Sequence, residues 1–129
     1  MGDRLMLKFC AVCDKSLLNG LHQEIFGAVY PKDIGYVLYD NTTPIGIAMM
    51  TVKEDVSTLH SVGILENYRK QKNGDFFTRS LIWGMSQASD KVVIDYENAY
   101  FEKFGFCKNN GKMVADSEKI VFPCECHAH

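Results

Sequence analysis

Between Thr58 and Ser80 the hydrophobic pattern changes period. Thr58 to Leu65 is rich in β-branched and apolar residues and predicts a strand, which can be traced back to Val56. From Asp75 onward, Phe77, Leu81, Met85 and Ala88 recur at i, i+4, i+8 and i+11, the stripe of an amphipathic helix running to about Ala88. The residues between, Glu66 to Gly74, are polar and basic and predict a loop. A strand feeding a loop that opens a helix aims several backbone N–H groups at one point. Such a point suits a phosphate.

The remaining pattern fills in around that stretch. Arg4 to Val12 predicts a first strand. Asp14 is placed to N-cap a helix from Lys15 to about Phe26, with Leu18, Leu21 and Ile25 on its apolar stripe and Leu17 widening it. Gly20 inside that helix costs roughly 1 kcal/mol against alanine. Gly35 to Tyr39 and Ile45 to Lys53 flank the turn cluster Asp40 to Pro44, so they predict a hairpin, and Val56 to Leu65 follows after Glu54-Asp55. Strands joined this tightly are antiparallel. After the long helix, Ser89-Asp90 is a break and Val92 to Asp95 a short strand. Strand, crossover helix and strand make a βαβ unit, which predicts that Leu59 to Leu65 and Val92 to Asp95 are parallel neighbours. Asn98 to Phe104 predicts a short helix stopped by Gly105. Asn109-Asn110-Gly111 signals a hairpin between Phe106–Lys108 and Lys112–Ala115, and Ile120 to Phe122 closes the fold before Pro123. The order β-α-β-β-β-α-β-α-β-β implies an α/β (α+β) fold, a mixed sheet with helices packed on it.

Composition narrows the class. A chain of 129 residues fits one domain spanning 1–129, without repeats or an internal linker. The formal net charge of −2 gives no reason to expect nucleic acid or an anionic membrane as partner. No apolar run reaches the ~18 residues of a membrane span. Met1 to Arg4 lead into a strand-like segment rather than a signal peptide. Five cysteines, an odd number without framework spacing, favour a reducing cytoplasm.

Two short pieces resemble one family. Tyr68-Arg69-Lys70-Gln71-Lys72-Asn73-Gly74 is similar to the pyrophosphate loop of the GNAT superfamily of N-acetyltransferases, whose pattern is Arg/Gln-x-x-Gly-x-Gly between the fourth strand and third helix. Arg69 and Gly74 match, and Lys72 stands where the family usually has its first glycine. Phe101-Glu102-Lys103-Phe104-Gly105-Phe106 is similar to the family's Tyr-Glu-Lys-x-Gly-Phe. The pieces occur in the family's order, and the order of elements is that of the GNAT fold. The resemblance implies a mixed, mostly antiparallel sheet with helices on both faces. It also implies that the two parallel strands splay apart at their C-terminal ends, where the family places pantetheine.

It further implies acetyl-CoA as acyl donor and direct transfer to an amine on a small molecule or peptide. Family members are often homodimers. The diphosphate would lie on Gln71, Lys72, Asn73, Gly74 and Asp75, with Arg69 supplying charge and the backbone at Ile64 meeting the acetyl and pantetheine part. Lys72 carries a Cβ that resists positive φ. Asp75 is an ordinary first-turn residue for a helix but a like charge beside a diphosphate. The base that frees the amine is assigned to His60, since some family members carry a histidine at the matching place and an imidazole titrates near neutral pH. The competing assignment is a strand histidine that is half buried and merely hydrogen-bonded; Glu54 and Asp55 are the other candidate bases. The family's thiolate-protonating tyrosine is here Phe101, without a proton to give; it is counted with the residues lining the cofactor. Tyr100, one residue earlier, is the substitute acid. Glu54, Asp55, Asp95 and Glu97 together suggest an acidic mouth for a cationic substrate, set against plain surface solvation.

Cys10-x-x-Cys13 and Cys124-x-Cys126-His127-x-His129 contain ligand-type residues, but the first strand is expected at one edge of the sheet, on the order of 20 Å from the last at ~4.8 Å per strand. One joint site is therefore not expected; the tail alone offers four ligand-type residues, but a chain terminus is usually frayed, so no metal is expected. Three functions compete: an acetyl-CoA-dependent N-acetyltransferase; a non-catalytic GNAT-like domain binding CoA or a protein partner, favoured by Lys72, Asp75 and Phe101; and an α/β interaction domain without a CoA site.

Overall fold

The computed structural model describes residues 7–123. Arg4 to Met6 of the predicted first strand, and the Cys/His tail with Cys124, Cys126, His127 and His129, lie outside the described residues. Seven strands form one mixed sheet: β1 (Leu7–Val12), β2 (Gly35–Asp40), β3 (Thr43–Thr51), β4 (Val56–Ile64), β5 (Lys91–Ile94), β6 (Cys107–Asn109) and β7 (Lys112–Asp116), in the order β1-β2-β3-β4-β5-β7-β6. The pairs β1–β2, β2–β3, β5–β7 and β6–β7 are antiparallel. β4 and β5 are parallel, as a βαβ crossover through the helix α2 (Asn73–Ala88) requires. Among the described residues no helix is long and apolar enough to cross a membrane.

By its internal contacts the chain divides into two units, Met1–Met50 with Ser61–Thr78 and Thr51–His60 with Arg79–His129. In the first, α1 (Lys15–Phe26) begins where predicted: the Asp14 carboxylate accepts the Leu17 N–H at 3.2 Å, and Gly27 ends it. Leu18 and Leu21 bury against Tyr30, Val37 and Ile47, with Val37 and Ile47 register partners across β2 and β3. Leu38 and Gly46, partners one residue on, project from the other face. There Phe9, the partner of Leu38, packs its ring, tilted and with centroids 5.9 Å apart, against Phe77 from the start of α2. Gly46 makes that face work, because a Cβ would come 2.7 Å from Ile64 Cδ1 and 3.0 Å from the Gly63 carbonyl. Helices thus cover both faces.

The second unit buries Leu59, Leu81, Ile82, Met85, Val92, Ile94, Phe101, Phe104 and Met113. Side chains of this size contribute roughly 1.5–3 kcal/mol each when fully buried. The β6–β7 hairpin turns through Asn110 and Gly111 at φ 53° and 80°, the positive values a two-residue turn needs.

Four local expectations change. Ala88 is exposed, and Ile82 takes its place in the buried stripe, because the helix lays Phe77, Leu81, Ile82 and Met85 inward. The predicted loop Glu66 to Gly74 is mostly a 3₁₀ helix, Glu66–Gln71, whose short-range bonds include Tyr68 N–H to the Leu65 carbonyl at 2.9 Å. α2 starts at Asn73 rather than near Asp75, because Asn73 is buried and its side-chain amide donates to the Tyr68 carbonyl at 2.8 Å. The element at Ala99–Phe104 is also a 3₁₀ helix, N-capped by Asn98.

Candidate active site

The segment from Ile64 to Asp75 lies within the first unit. Ile64 is buried and ends β4; the next residue, Leu65, donates its N–H to the Ile45 carbonyl at 2.8 Å. Arg69 is exposed, yet its Nε donates to the Ile64 carbonyl at 2.8 Å, so it braces the strand exit as well as adding charge. Gln71 and Lys72 are exposed. Lys72 adopts φ 60° and ψ 21°, the left-handed conformation, at the position matched to the family's first glycine. The turn is therefore made with a lysine, against the resistance of its Cβ, at a cost of about 1–2 kcal/mol. Its carbonyl accepts the Phe76 N–H at 3.0 Å, so the amides of Asn73, Gly74 and Asp75 make up the opening turn of α2, where a helix directs N–H groups outward. A Cβ on Gly74 would meet only Ile64 Cγ1, at 3.7 Å. This donor set, with Lys72 and Arg69 nearby and Asp75 opposing them, fits a diphosphate in sign and in backbone geometry. Asn73 Oδ1 is buried without a partner within the described residues.

The second group of polar side chains lies in the other unit. The Asp95 N–H donates to the Leu59 carbonyl at 2.9 Å, which sets Asp95 at the end of β5 beside β4. The β4–β5 ladder runs from Val56 and Lys91 to Leu59 and Ile94 and goes no further. At this point His60 Nδ1 lies 3.1 Å from Asp95 Oδ2, His60 Nε2 lies 2.8 Å from Thr51 Oγ1, and Lys112 Nζ lies 3.3 Å from Asp95 Oδ1. The His60 side chain is 25% exposed. An ionised carboxylate only accepts, so the Nδ1 facing Asp95 carries the proton in the neutral ring. Nε2 is then the acceptor, and the Thr51 hydroxyl donates to it. The hydrogen bond from His60, helped by Lys112 and opposed by partial burial, holds the Asp95 carboxyl below the usual carboxylate range.

Phe101 is buried, ringed by Tyr96 at 5.7 Å, Tyr100 at 5.2 Å and Phe106 at 6.0 Å. Tyr100 is half-buried, with the Lys103 ammonium 4.3 Å above its ring. In a 3₁₀ helix neighbours are a third of a turn apart rather than the quarter expected of an α-helix, so Tyr100 does not take the position of Phe101, although their rings meet edge to face. Burial also raises the pKa of the Tyr96 hydroxyl above the ordinary phenolic range.

The expected acidic mouth does not form as one feature. Glu54 and Asp55 gather with Asp90, Asp116 and Glu118 around an open cavity of about 770 Å³. That is the Val56/Lys91 end of the ladder, whereas Asp95 follows its Leu59/Ile94 end. Among the described residues no group of three or more His, Cys, Asp or Glu side chains could hold a metal ion. Sequence reasoning missed Thr51 and Lys112, and gave Asp95 a place only in a candidate acidic mouth or among solvated surface acids. The signal that finds Asp95 is the parallel β4–β5 pairing, once its register is known.

Comparison with solved structures shows which fold this mixed sheet, with its strand, tight turn and crossover helix, belongs to. The chain is similar to a GNAT family acetyltransferase from Brucella melitensis solved in complex with acetyl-CoA (TM-score 0.67, 12% identity, 88% of each chain covered). It is likewise similar to the ribosomal-protein-S18-alanine N-acetyltransferase of Escherichia coli (TM-score 0.67, 15% identity, 96% of this chain and 100% of that one). A GNAT family N-acetyltransferase from Escherichia coli in complex with CoA gives a TM-score of 0.66 at 14% identity, over 88% of this chain and 82% of that one. The chain has the GNAT acetyltransferase fold. No protein-family model matches the sequence, and no curated protein sequence matches it significantly.

Proposed function

We propose that this chain is an acetyl-CoA-dependent N-acetyltransferase that transfers acetyl directly to an amine, with His60 as the general base. The observation that carries the reading is the orientation of His60. With the proton on the Nδ1 that faces Asp95, Nε2 is the accepting nitrogen of the ring, here toward the Thr51 hydroxyl. The fold supports acetyl-CoA as donor, since two of the similar structures were solved with acetyl-CoA or CoA. The opening turn of α2, with Lys72 and Arg69, would hold the diphosphate. Tyr100 is the residue that would protonate the leaving thiolate; without it, water suffices for a thiol of ordinary pKa near 8–9.

The second reading, a GNAT-like domain that binds CoA without turnover, is favoured by Phe101, a buried ring with no hydroxyl at the family's tyrosine position. Two measurements separate the readings. Calorimetric titration with acetyl-CoA should show binding. Release of free CoA in the presence of a panel of primary amines should then exceed that without amine. Binding without amine-dependent release establishes the second reading, and no binding at millimolar acetyl-CoA removes both.

A further inference from the structure

His60 does not present a bare lone pair. Its Nε2 is already engaged at 2.8 Å by Thr51 Oγ1, the last residue of β3. The order of atoms is fixed from one end. Lys112 and the His60 ring both lie on the Asp95 carboxylate, which can only accept. The proton therefore sits on Nδ1, Nε2 accepts, and the Thr51 hydroxyl is the donor. A base in this state receives a proton from the hydroxyl that touches it, and the hydroxyl oxygen becomes the group that takes a proton from elsewhere.

We propose that Thr51, His60 and Asp95 form a proton relay in which the Thr51 hydroxyl, rather than the imidazole, meets the acceptor amine. The inference rests on the acetyltransferase reading above and names two residues for it: Thr51 as the relay group and Asp95 as the positioning residue. In the step, an ammonium proton of the acceptor passes to Thr51 Oγ1 as the Thr51 proton passes to His60 Nε2. The neutral amine attacks the thioester carbonyl, a C–N bond forms, and the C–S bond breaks to release CoA thiolate; the second N–H proton of the attacking nitrogen passes to that thiolate, which leaves a neutral amide. The imidazolium, stabilised by Asp95, returns its proton to solvent. No acetyl group rests on the protein at any stage. Thr51 keeps its hydroxyl throughout.

The test uses the full chain and two readouts. Nitrogen-15 NMR of the His60 ring at alkaline pH should show the Nδ1–H tautomer in the wild type and in Thr51→Val. In Asp95→Asn it should show a mixture or the Nε2–H form, because an amide can donate to Nδ1. An Nε2–H tautomer in the wild type overturns the relay whether or not the protein acetylates anything. In turnover, Thr51→Val, an isostere without the hydroxyl, should lower kcat roughly 10-fold to 10²-fold with KM for acetyl-CoA unchanged. Thr51→Ser, which restores the hydroxyl, should stay within about 3-fold of wild type. Thr51→Ala serves if the valine variant does not fold. Wild-type turnover in Thr51→Val overturns the relay and leaves the acetyltransferase reading intact, since Thr51 would then only cover the base. A wild type that acetylates no amine, with the tautomer in place, overturns both.

Discussion

The two regions that carry the proposed chemistry are built on opposite plans. The segment from Ile64 to Asp75 is continuous in sequence and works through its backbone: a braced strand end, a 3₁₀ turn, a left-handed residue and a helix start. The His60 group is discontinuous and works through side chains, joining Thr51 to His60 and His60 to Asp95 across 9 and 35 residues, with Lys112 added on Asp95. A backbone device tolerates substitution, because any residue brings the same N–H. Lys72, at the position that the resemblance matches to a glycine, keeps the left-handed turn although its Cβ resists it. A side-chain device does not tolerate substitution, because each atom in the chain of hydrogen bonds has one chemical role.

The sharpest break of the comparison is His60→Gln. Glutamine keeps much of the size and some hydrogen bonding but cannot serve as a base. Turnover should fall by roughly 10²-fold or more, while acetyl-CoA affinity measured by calorimetry stays within about twofold. A parallel loss of affinity would show that the two regions are not functionally separate. Full turnover would assign the base to another group.

The converse break acts on the loop alone. If Asp75 repels the diphosphate, Asp75→Ser should tighten acetyl-CoA binding by about 2-fold to 5-fold, the size of a helix N-terminal charge effect. Lys72→Ala should weaken it by a similar factor. Both should leave kcat at saturating acetyl-CoA close to wild type. Changes of the same sign in the two variants would contradict the charge argument.

The same contrast explains how much was legible in the sequence. Among the described residues, periodicity and the Asn109-Asn110-Gly111 hairpin signal located the seven strands and both α-helices, and Asp14 and the crossover helix were readable from local chemistry. The loop could be matched to a family because its parts are consecutive. Its 3₁₀ conformation was hidden, since polar residues in Glu66–Gln71 have no periodic apolar signal. His60 was singled out, but Thr51, Asp95 and Lys112 were not assigned to it. Their meeting depends on the β4–β5 register and the end of β3, and long-range register leaves no mark on composition or spacing. Burial along β4 makes the same point. Ser57 and Leu59 are buried in alternation, but the next buried position is Ile64, so burial does not keep a strict period of two along the strand.

Lys72→Gly sharpens the comparison at a single residue, because backbone and side chain should pull apart. Glycine relieves about 1–2 kcal/mol of left-handed strain but adds roughly 0.5–1 kcal/mol of unfolded-chain entropy. The net expectation is a gain of about 0.5–1 kcal/mol, read as a rise of a few degrees in Tm. Acetyl-CoA affinity should fall to about that of Lys72→Ala, since both lose the ammonium. A glycine variant that binds more tightly than the alanine variant would mean that backbone fit, not charge, limits the loop.

The smallest effect comes from Asp95. Its carboxyl titrates below the usual range in the folded protein, chiefly because His60 hydrogen-bonds to the charged form, with Lys112 adding to this. A depressed folded value contributes stability that is fully present above the unfolded value, about 3.9 for an aspartate. That contribution is lost as pH falls through the lower folded value. The difference in stability between wild type and Asp95→Asn should therefore be steady at pH 5–7 and shrink below about pH 4. Asp95 is 36% exposed, so the difference should be small and should shrink further in about 1 M salt. A difference that persists unchanged to acid pH would show that Asp95 contributes through packing or through hydrogen bonds indifferent to its charge. The carboxylate would then no longer account for the orientation of His60, and the side-chain region would lose the feature that distinguishes it from the loop.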